Sequence, residues 1–304
     1  MHEPKPILRS FSWADLDSLA LLAAPLQGMG RESITTVAER MRRLYMRPGF
    51  HPERDCLIAW GGNGPVGYLF MLAEERIGRG ILRGGVHPQH RRRGIGKLMV
   101  DAMAAHAQTL GFEVLHAEAS PSANAAKLLL QSSGFSPVRT HRHLLRHSTE
   151  LTRLAAPAGD GFRLLEPKDV TALTQLQNEA FIGSWGFCLN IDEEVYYEIY
   201  QSPIGKPDGV VLLEREGLLT GYCWTHQEAY GKPGTINMVG VSRDAQGRGL
   251  GRAITAAGID HLLSEGAPSV ELTVDGENTS AVRLYRRLGF SHRRVTRWYE
   301  LRLR

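Results

Sequence analysis

Residues 239–254 read VGVSRDAQGRGLGRAI, and residues 84–99 read GGVHPQHRRRGIGKLM. Each stretch leaves a Val-containing strand pattern, passes through a Gly-x-Gly step and enters a helical pattern. From Val86 to Val241 the offset is 155 residues. Two further pairs keep nearly the same spacing. GPVGYLFM (64–71) matches LLTGYCWT (218–225), with Tyr68 and Tyr222 offset by 154, and LLLQSSGF (128–135) matches RLYRRLGF (283–290), with Gly134 and Gly289 offset by 155. Chance similarity would scatter the offset. The period is too long for a solenoid, so the chain reads as a duplicated domain.

The length agrees: 304 residues suit two domains of roughly 150 each. The expected organisation is an N-terminal domain over 1–150, a linker over 151–161 and a C-terminal domain over 162–304. The linker falls where STELTRLAAPAGDG (148–161) is first polar, then rich in Ala, Pro and Gly. Both halves read in the same order. An early helix (14–24 and 167–180) precedes two strands around the Gly-Tyr pairs. A strand then enters the glycine loop and a long helix (95–110 and 250–264). Another strand (113–119 and 269–274), a helix ending at Gly-Phe and a last strand follow. This alternation predicts an α/β fold with a mixed sheet and helices on both faces.

Composition removes several function classes. The formal net charge is only +4, with acids and bases interspersed. The pI near 9.0 is a weak sign of nucleic acid, because clustering matters more than the total. No helix-turn-helix or aromatic-rich basic strand pattern appears. Cys56, Cys188 and Cys223 are odd in number and far apart, so neither a disulfide framework nor a zinc spacing is present. MHEPKPILRSF at the start has no apolar signal core, and no run of about 18 apolar residues occurs. A cytoplasmic protein without membrane, nucleic-acid or metal partners is expected, as a monomer or homodimer.

The glycine loop itself suggests a ligand. A helix N-terminus offers free N–H groups and the positive end of the dipole. In Gln246, Gly247, Arg248, Gly249, Leu250 and Gly251 the glycines let a phosphate approach the backbone, so a pyrophosphate can sit there. Arg248 and Arg252 would add charge. In the first half Arg91, Arg92, Arg93, Gly94, Ile95 and Gly96 repeat the pattern after Val86. The plain alternative is a tight strand-to-helix connection, with the arginines a solvated charge run. The spacing is neither a dinucleotide-binding fingerprint nor a Walker loop.

Gln/Arg-x-x-Gly-x-Gly after a Val-rich strand, followed by Asn-x6-Tyr-x3-Gly-Phe in ENTSAVRLYRRLGF (277–290), resembles the GNAT N-acetyltransferase superfamily, twice over nearly the whole chain. The tandem arrangement is further similar to the mycothiol acetyltransferase family. The resemblance implies two tandem acyltransferase domains that bind acetyl-coenzyme A as co-substrate. The C-terminal half would be active, and the N-terminal half would bind the co-substrate without obvious turnover. It also implies a bulged, splayed strand at Val239, Gly240 and Val241, whose freed N–H groups would hold the pantetheine arm and the oxyanion. Tyr285 would be the acid near the coenzyme sulfur, with a packed helix aromatic as its alternative. Asn278 would contact the coenzyme arm, serve as a helix N-cap, or both.

The general base departs from the pattern. The mycothiol acetyltransferases carry glutamate six residues before the valine matching Val241, and here that residue is Thr235, followed by Ile236, Asn237 and Met238. His226 and Glu228, near the end of the preceding strand, are the substitutes. A solvated strand end and deprotonation through water remain open for them. Cys223 reads as an inert core thiol rather than a nucleophile. In the N-terminal half Leu130 stands where Tyr285 does, and Ala123 where Asn278 does, with Asn124 one residue away. That half lacks an acid and reads as degenerate.

The expected activity is acetyl transfer from the thioester to an amine of a small molecule by direct attack. The alternatives are a protein or peptide amine acetyltransferase and a non-catalytic acetyl-coenzyme A sensor. The acceptor would be shaped by residues 181–207, where Trp185, Phe187, Tyr196, Tyr197 and Tyr200 either line a pocket or pack a helix.

Overall fold

The computed structural model describes residues 6–26, 34–62, 64–147, 149–202, 205–228 and 230–303. Residues 1–5, Ser148 just before the expected linker and residues 203 and 204 of the variable stretch lie outside the described residues. The chain forms two compact units, one of Met1–Arg139 with Arg297–Arg304 and one of Thr140–Thr296. The first holds β1 (Ile7–Ser10), α1 (Leu16–Leu26), α2 (Ile34–Tyr45), α3 (Pro52–Asp55), β2 (Cys56–Gly61), β3 (Gly64–Glu74), β4 (Arg79–Val86), α4 (Ile95–Thr109), β5 (Val114–Ala119), α5 (Asn124–Ser132) and the start of β6 (Ser136–Arg146). The second continues β6 and holds β7 (Asp160–Leu164), α6 (Val170–Phe181), α7 (Asp192–Tyr196), β8 (Val210–Arg215), β9 (Leu218–Gln227), β10 (Gly234–Val241), α8 (Leu250–Ser264), β11 (Val270–Asp275), α9 (Thr279–Arg287) and the first half of β12 (Ser291–Arg302).

Each unit is a mixed sheet of the same design. In the first, β1 to β4 pair antiparallel in sequence order, β4 pairs parallel with β5, and β5 pairs antiparallel with residues 297–302 of β12. In the second, β7 to β10 pair antiparallel, β10 pairs parallel with β11, and β11 pairs antiparallel with residues 141–146 of β6. The last strand of each sheet therefore comes from the far half of the sequence. A cut at 151–161 separates the halves of the sequence but not the compact units. Residues 140–146 belong with the second unit and 297–304 with the first.

The expected linker is also fastened. Asp260 on α8 accepts hydrogen bonds from the Thr152 N–H at 2.6 Å, the Thr152 hydroxyl at 2.9 Å and the Arg153 N–H at 2.8 Å. Leu154 and Ala156 pack against the core of the second unit.

Helices cover both faces of each sheet because the strands are apolar on both sides. In the first unit Met99, Met103 and Leu115 form the core under α4, and Leu19, Val37, Tyr45 and Phe70 form the one under α1 and α2. In the second, Ile254, Ile259 and Leu272 pack under α8, and Leu173, Ile199, Leu212 and Tyr222 under α6. Truncating a fully buried leucine such as Leu173 to alanine costs about 2–5 kcal/mol. Among the described residues no helix is long and apolar enough to cross a membrane.

Candidate active site

In the second unit β10 and β11 pair in parallel only at Gly234, Thr235 and Ile236. β11 then stays on β6 as far as Asp275, while β10 stays on β9 as far as Val241. Among the described residues, the edge of β10 over 237–241 has no strand partner on its β11 side. The register of β10 on β9 shifts between Ile236 and Met238, so Asn237 is an extra, exposed bulge residue. A bulge bends its strand and sharpens the twist, which turns β10 away from β11. The backbone groups of β10 that face β11 beyond Ile236 are thereby left without a strand partner, beside the gap between the two strands. The side chain of Val241 stays in the core.

β10 then runs into the loop that opens α8. Gly247 and Gly249 hold φ of 78° and 83°, and a Cβ on either would meet nothing within 4 Å. Gly249 is the N-cap, and the N–H groups that follow it lie in the first turn, where the helix has no carbonyl to offer them. The Gln246 amide donates to the Val241 carbonyl at 3.2 Å, which ties the loop back to the strand end. Arg248 and Arg252 are exposed beside this turn. Leu250 is buried, so only its backbone can face a ligand. A Cβ on Gly251 would lie 3.4 Å from Leu284 Cδ1, so its place is set partly by the approach of α9.

Tyr285 on α9 is 8% exposed and meets Phe290 edge-on at 6.0 Å. Burial pushes its phenol up, so it carries its proton at any working pH. Asn278 caps α9: its Oδ1 accepts the Ala281 N–H at 3.0 Å and the Ser280 hydroxyl at 2.8 Å. Cys223 is fully buried, with its sulfur in the notch left by Gly258, and burial pushes its thiol up. This is the environment of a packing thiol.

His226 pairs with Thr235 across β9 and β10, so the two side chains share a face of the sheet. Trp224, two residues away on the same face, packs against the core under α6. Glu228 follows the end of β9 and is exposed. Of the aromatic stretch, Tyr196 and Tyr200 stack at 5.0 Å, and the buried Tyr200 hydroxyl has no hydrogen-bond partner. Trp185 meets His141 edge-on at 6.0 Å. Among the described residues no group of three or more His, Cys, Asp and Glu side chains could hold a metal ion.

The first unit repeats the loop with differences. Gly94 caps α4 at φ 79°, and the Arg91 Nε donates to the Val86 carbonyl at 3.0 Å, as Gln246 does in the second unit. Arg91 therefore ties the loop as well as adding charge. Arg92 stands where Gly247 does, at φ 63°. Arg93 is exposed, Ile95 is buried, and Gly96 faces Leu129 at 2.9 Å from a Cβ position. β4 and β5 part after Leu82, yet β4 keeps unbroken register on β3. Ala123 precedes α5 with no side-chain cap, and Leu130 is 7% exposed in the slot that Tyr285 fills on α9. The tie from Gln246 or Arg91 to the strand end was missed in the sequence, although polar side chains at matching positions were its visible sign.

The model of the Acetyltransferase (GNAT) family matches residues 170–290, and that of the Acetyltransferase (GNAT) domain matches 52–137. A mycothiol acetyltransferase of Thermobispora bispora is 35% identical, with 81% of this chain and 86% of that protein covered. One from a Parafrankia species is 32% identical, with 93% and 94% covered. Among solved structures, a GCN5-related N-acetyltransferase from Sphaerobacter thermophilus superposes with a TM-score of 0.76 at 24% identity, covering 98% of this chain and 96% of that one. A tandem GNAT protein from the clavulanic acid biosynthesis pathway gives 0.74 at 17% identity, with 98% of each chain covered. These two likenesses concern the fold.

Proposed function

Because the chain belongs to the GNAT acetyltransferase family, and is an acyltransferase, we propose that its C-terminal half moves the acetyl group of acetyl-coenzyme A to an amine of a small molecule by direct attack. The observation that carries this is the parting of β10 from β11 just before the glycine-opened start of α8. Acetyl-coenzyme A supplies an activated acyl carbonyl and a thiol leaving group. The gap between β10 and β11 fits it: backbone groups along 237–241 can hold the pantetheine amides and the acyl oxygen, and the open turn at Gly247 and Gly249 can hold the pyrophosphate.

Tyr285, buried and protonated, donates to the departing sulfur. His226 is preferred over Glu228 as the group that takes the amine proton. It lies directly across from Thr235, the position where the related family carries its glutamate. Asn278 holds the start of α9 and through it the height of Tyr285 at the gap. The curated relatives are named for a small molecule, which supports a small acceptor. A reaction that draws on coenzyme A fits a cytoplasmic chain. The division of labour, with an N-terminal half over roughly 1–150 that binds and a C-terminal half over 162–304 that reacts, is part of this proposal.

An assay for free thiol with acetyl-coenzyme A and a panel of small amines tests it. Amine-dependent thiol release at a saturable rate is expected. Binding of acetyl-coenzyme A without release for any amine would instead make the protein a sensor.

A further inference from the structure

Tyr222 is fully buried, and its hydroxyl has no hydrogen-bond partner. Leaving a buried hydroxyl unpaired is unfavourable, and a phenylalanine would fill the same space without that cost. The ring's position shows where the hydroxyl is aimed. Tyr222 on β9 pairs with Gly240 on β10. A Cβ on Gly240 would fall 2.8 Å from Cε1 and 3.3 Å from Cζ of Tyr222, and 3.0 Å from the Ala180 Cβ on α6. The far edge of the ring thus lies over the backbone of the neighbouring strand, and the hydroxyl projects one bond further. Beyond β10 on that side β11 has already turned away.

Tyr222 packs with the core under α6, and Tyr285 with the core under α8. Burial, then the nearby Cys223 and Tyr285, push the Tyr222 phenol up. The first unit lacks this arrangement. Tyr68 pairs with Gly85 in the same register, but a Cβ on Gly85 would meet Leu26 at 3.2 Å rather than a tyrosine ring.

We propose that the Tyr222 hydroxyl donates a hydrogen bond to an oxygen of the bound acyl-pantetheine arm where β10 parts from β11. It is then a further ligand-contacting residue of the second unit. The assignment rests on the acetyl-transfer reading above. Its partner oxygen is either the acyl carbonyl or a pantetheine amide, and both present the same acceptor chemistry.

Tyr222→Phe tests it, because the ring and its packing on Gly240 are retained. The free variant is expected to melt at or above the wild-type temperature, since only an unpaired hydroxyl is lost. Its kcat/KM for acetyl-coenzyme A should fall about tenfold, the effect of one neutral hydrogen bond. Calorimetry with coenzyme A, which lacks the acyl group, separates the two oxygens. Unchanged affinity for coenzyme A with the kinetic loss assigns the acyl carbonyl, and weaker affinity assigns a pantetheine amide. A folded variant with wild-type kcat/KM and affinity would overturn the assignment while leaving acetyl transfer intact. A wild-type protein that neither binds coenzyme A nor releases thiol would overturn both.

Discussion

Tyr285 and Leu130 fill matching buried slots at 8% and 7% exposure, so packing alone does not require a hydroxyl there. That makes Tyr285→Phe a clean test. The ring contact with Phe290 stays, and only the phenolic proton goes. We expect kcat to fall by about two to four orders of magnitude, the usual worth of general acid help, while acetyl-coenzyme A affinity changes little. A kcat within a factor of two of wild type would remove the acid role. A second test sits on the opposite face of the sheet. His226→Gln keeps a polar side chain across from Thr235 but removes a proton acceptor. Its kcat should drop by at least about a hundredfold, with Glu228→Gln near wild type. The reverse order would move the base to Glu228. Tyr285 was legible because its spacing to Asn278 and Gly289 is a local pattern on one helix. The Tyr222 hydroxyl was not. The sequence marks Tyr222 only as a strand aromatic, and its orientation depends on Gly240 in the next strand and Ala180 on α6.

At the scale of elements, both units open their first long helix with the same clamp. Arg9 holds Asp15 through two hydrogen bonds of 2.7 and 2.6 Å, and Arg163 holds Asp169 through two of 2.6 and 3.0 Å. Each aspartate also accepts a backbone N–H at 2.9 Å, from Ser12 and from Glu166. The partner arginine, then that backbone bond, hold both carboxyls below their ordinary value against the opposing effect of burial. A value lowered on folding means the stabilisation is complete above the unfolded value, near pH 4, and is lost as pH falls through the folded one. Arg163→Met should therefore lower the melting temperature at pH 7 and reduce the fall in stability between about pH 5 and pH 2. An unchanged acid limb in that variant would show that the clamp does not carry it. The Arg-x5-Asp spacing recurs at the repeat offset of 154 and was readable in principle, but it lay outside the three aligned segments. α2 was unread for a different reason: its apolar stripe of Val37, Met41 and Tyr45 is interrupted by charges that the early-helix pattern did not include. The exchange of β6 and β12 could not be read at all, because duplicated strands carry duplicated patterns.

For the whole molecule, the repeat gives two loops that are alike where phosphate would bind and unlike where chemistry would occur. Gly94 and Gly249 cap their helices at φ 79° and 83°, and a Cβ on either meets nothing within 4 Å. Valine at either position therefore carries the same backbone strain, roughly 1–2 kcal/mol or somewhat more for a branched residue, and projects into the same open space. The two substitutions form a matched pair, so a difference in their effect on turnover reports the sites rather than the loops. Beyond the loops the units diverge. The first has no bulge on β4, no cap at Ala123 and Leu130 in the acid's slot. The second has the bulge at Asn237, the cap at Asn278 and Tyr285. Gly249→Val should abolish amine-dependent thiol release, and Gly94→Val should leave most of it. Calorimetry on both variants counts the binding sites, and melting curves confirm that each is folded. If Gly249→Val stays folded and turns over at the wild-type rate while Gly94→Val does not, the reaction belongs to the first unit. A hydroxyl-free slot at Leu130 would then have to be no obstacle to expelling the thiolate.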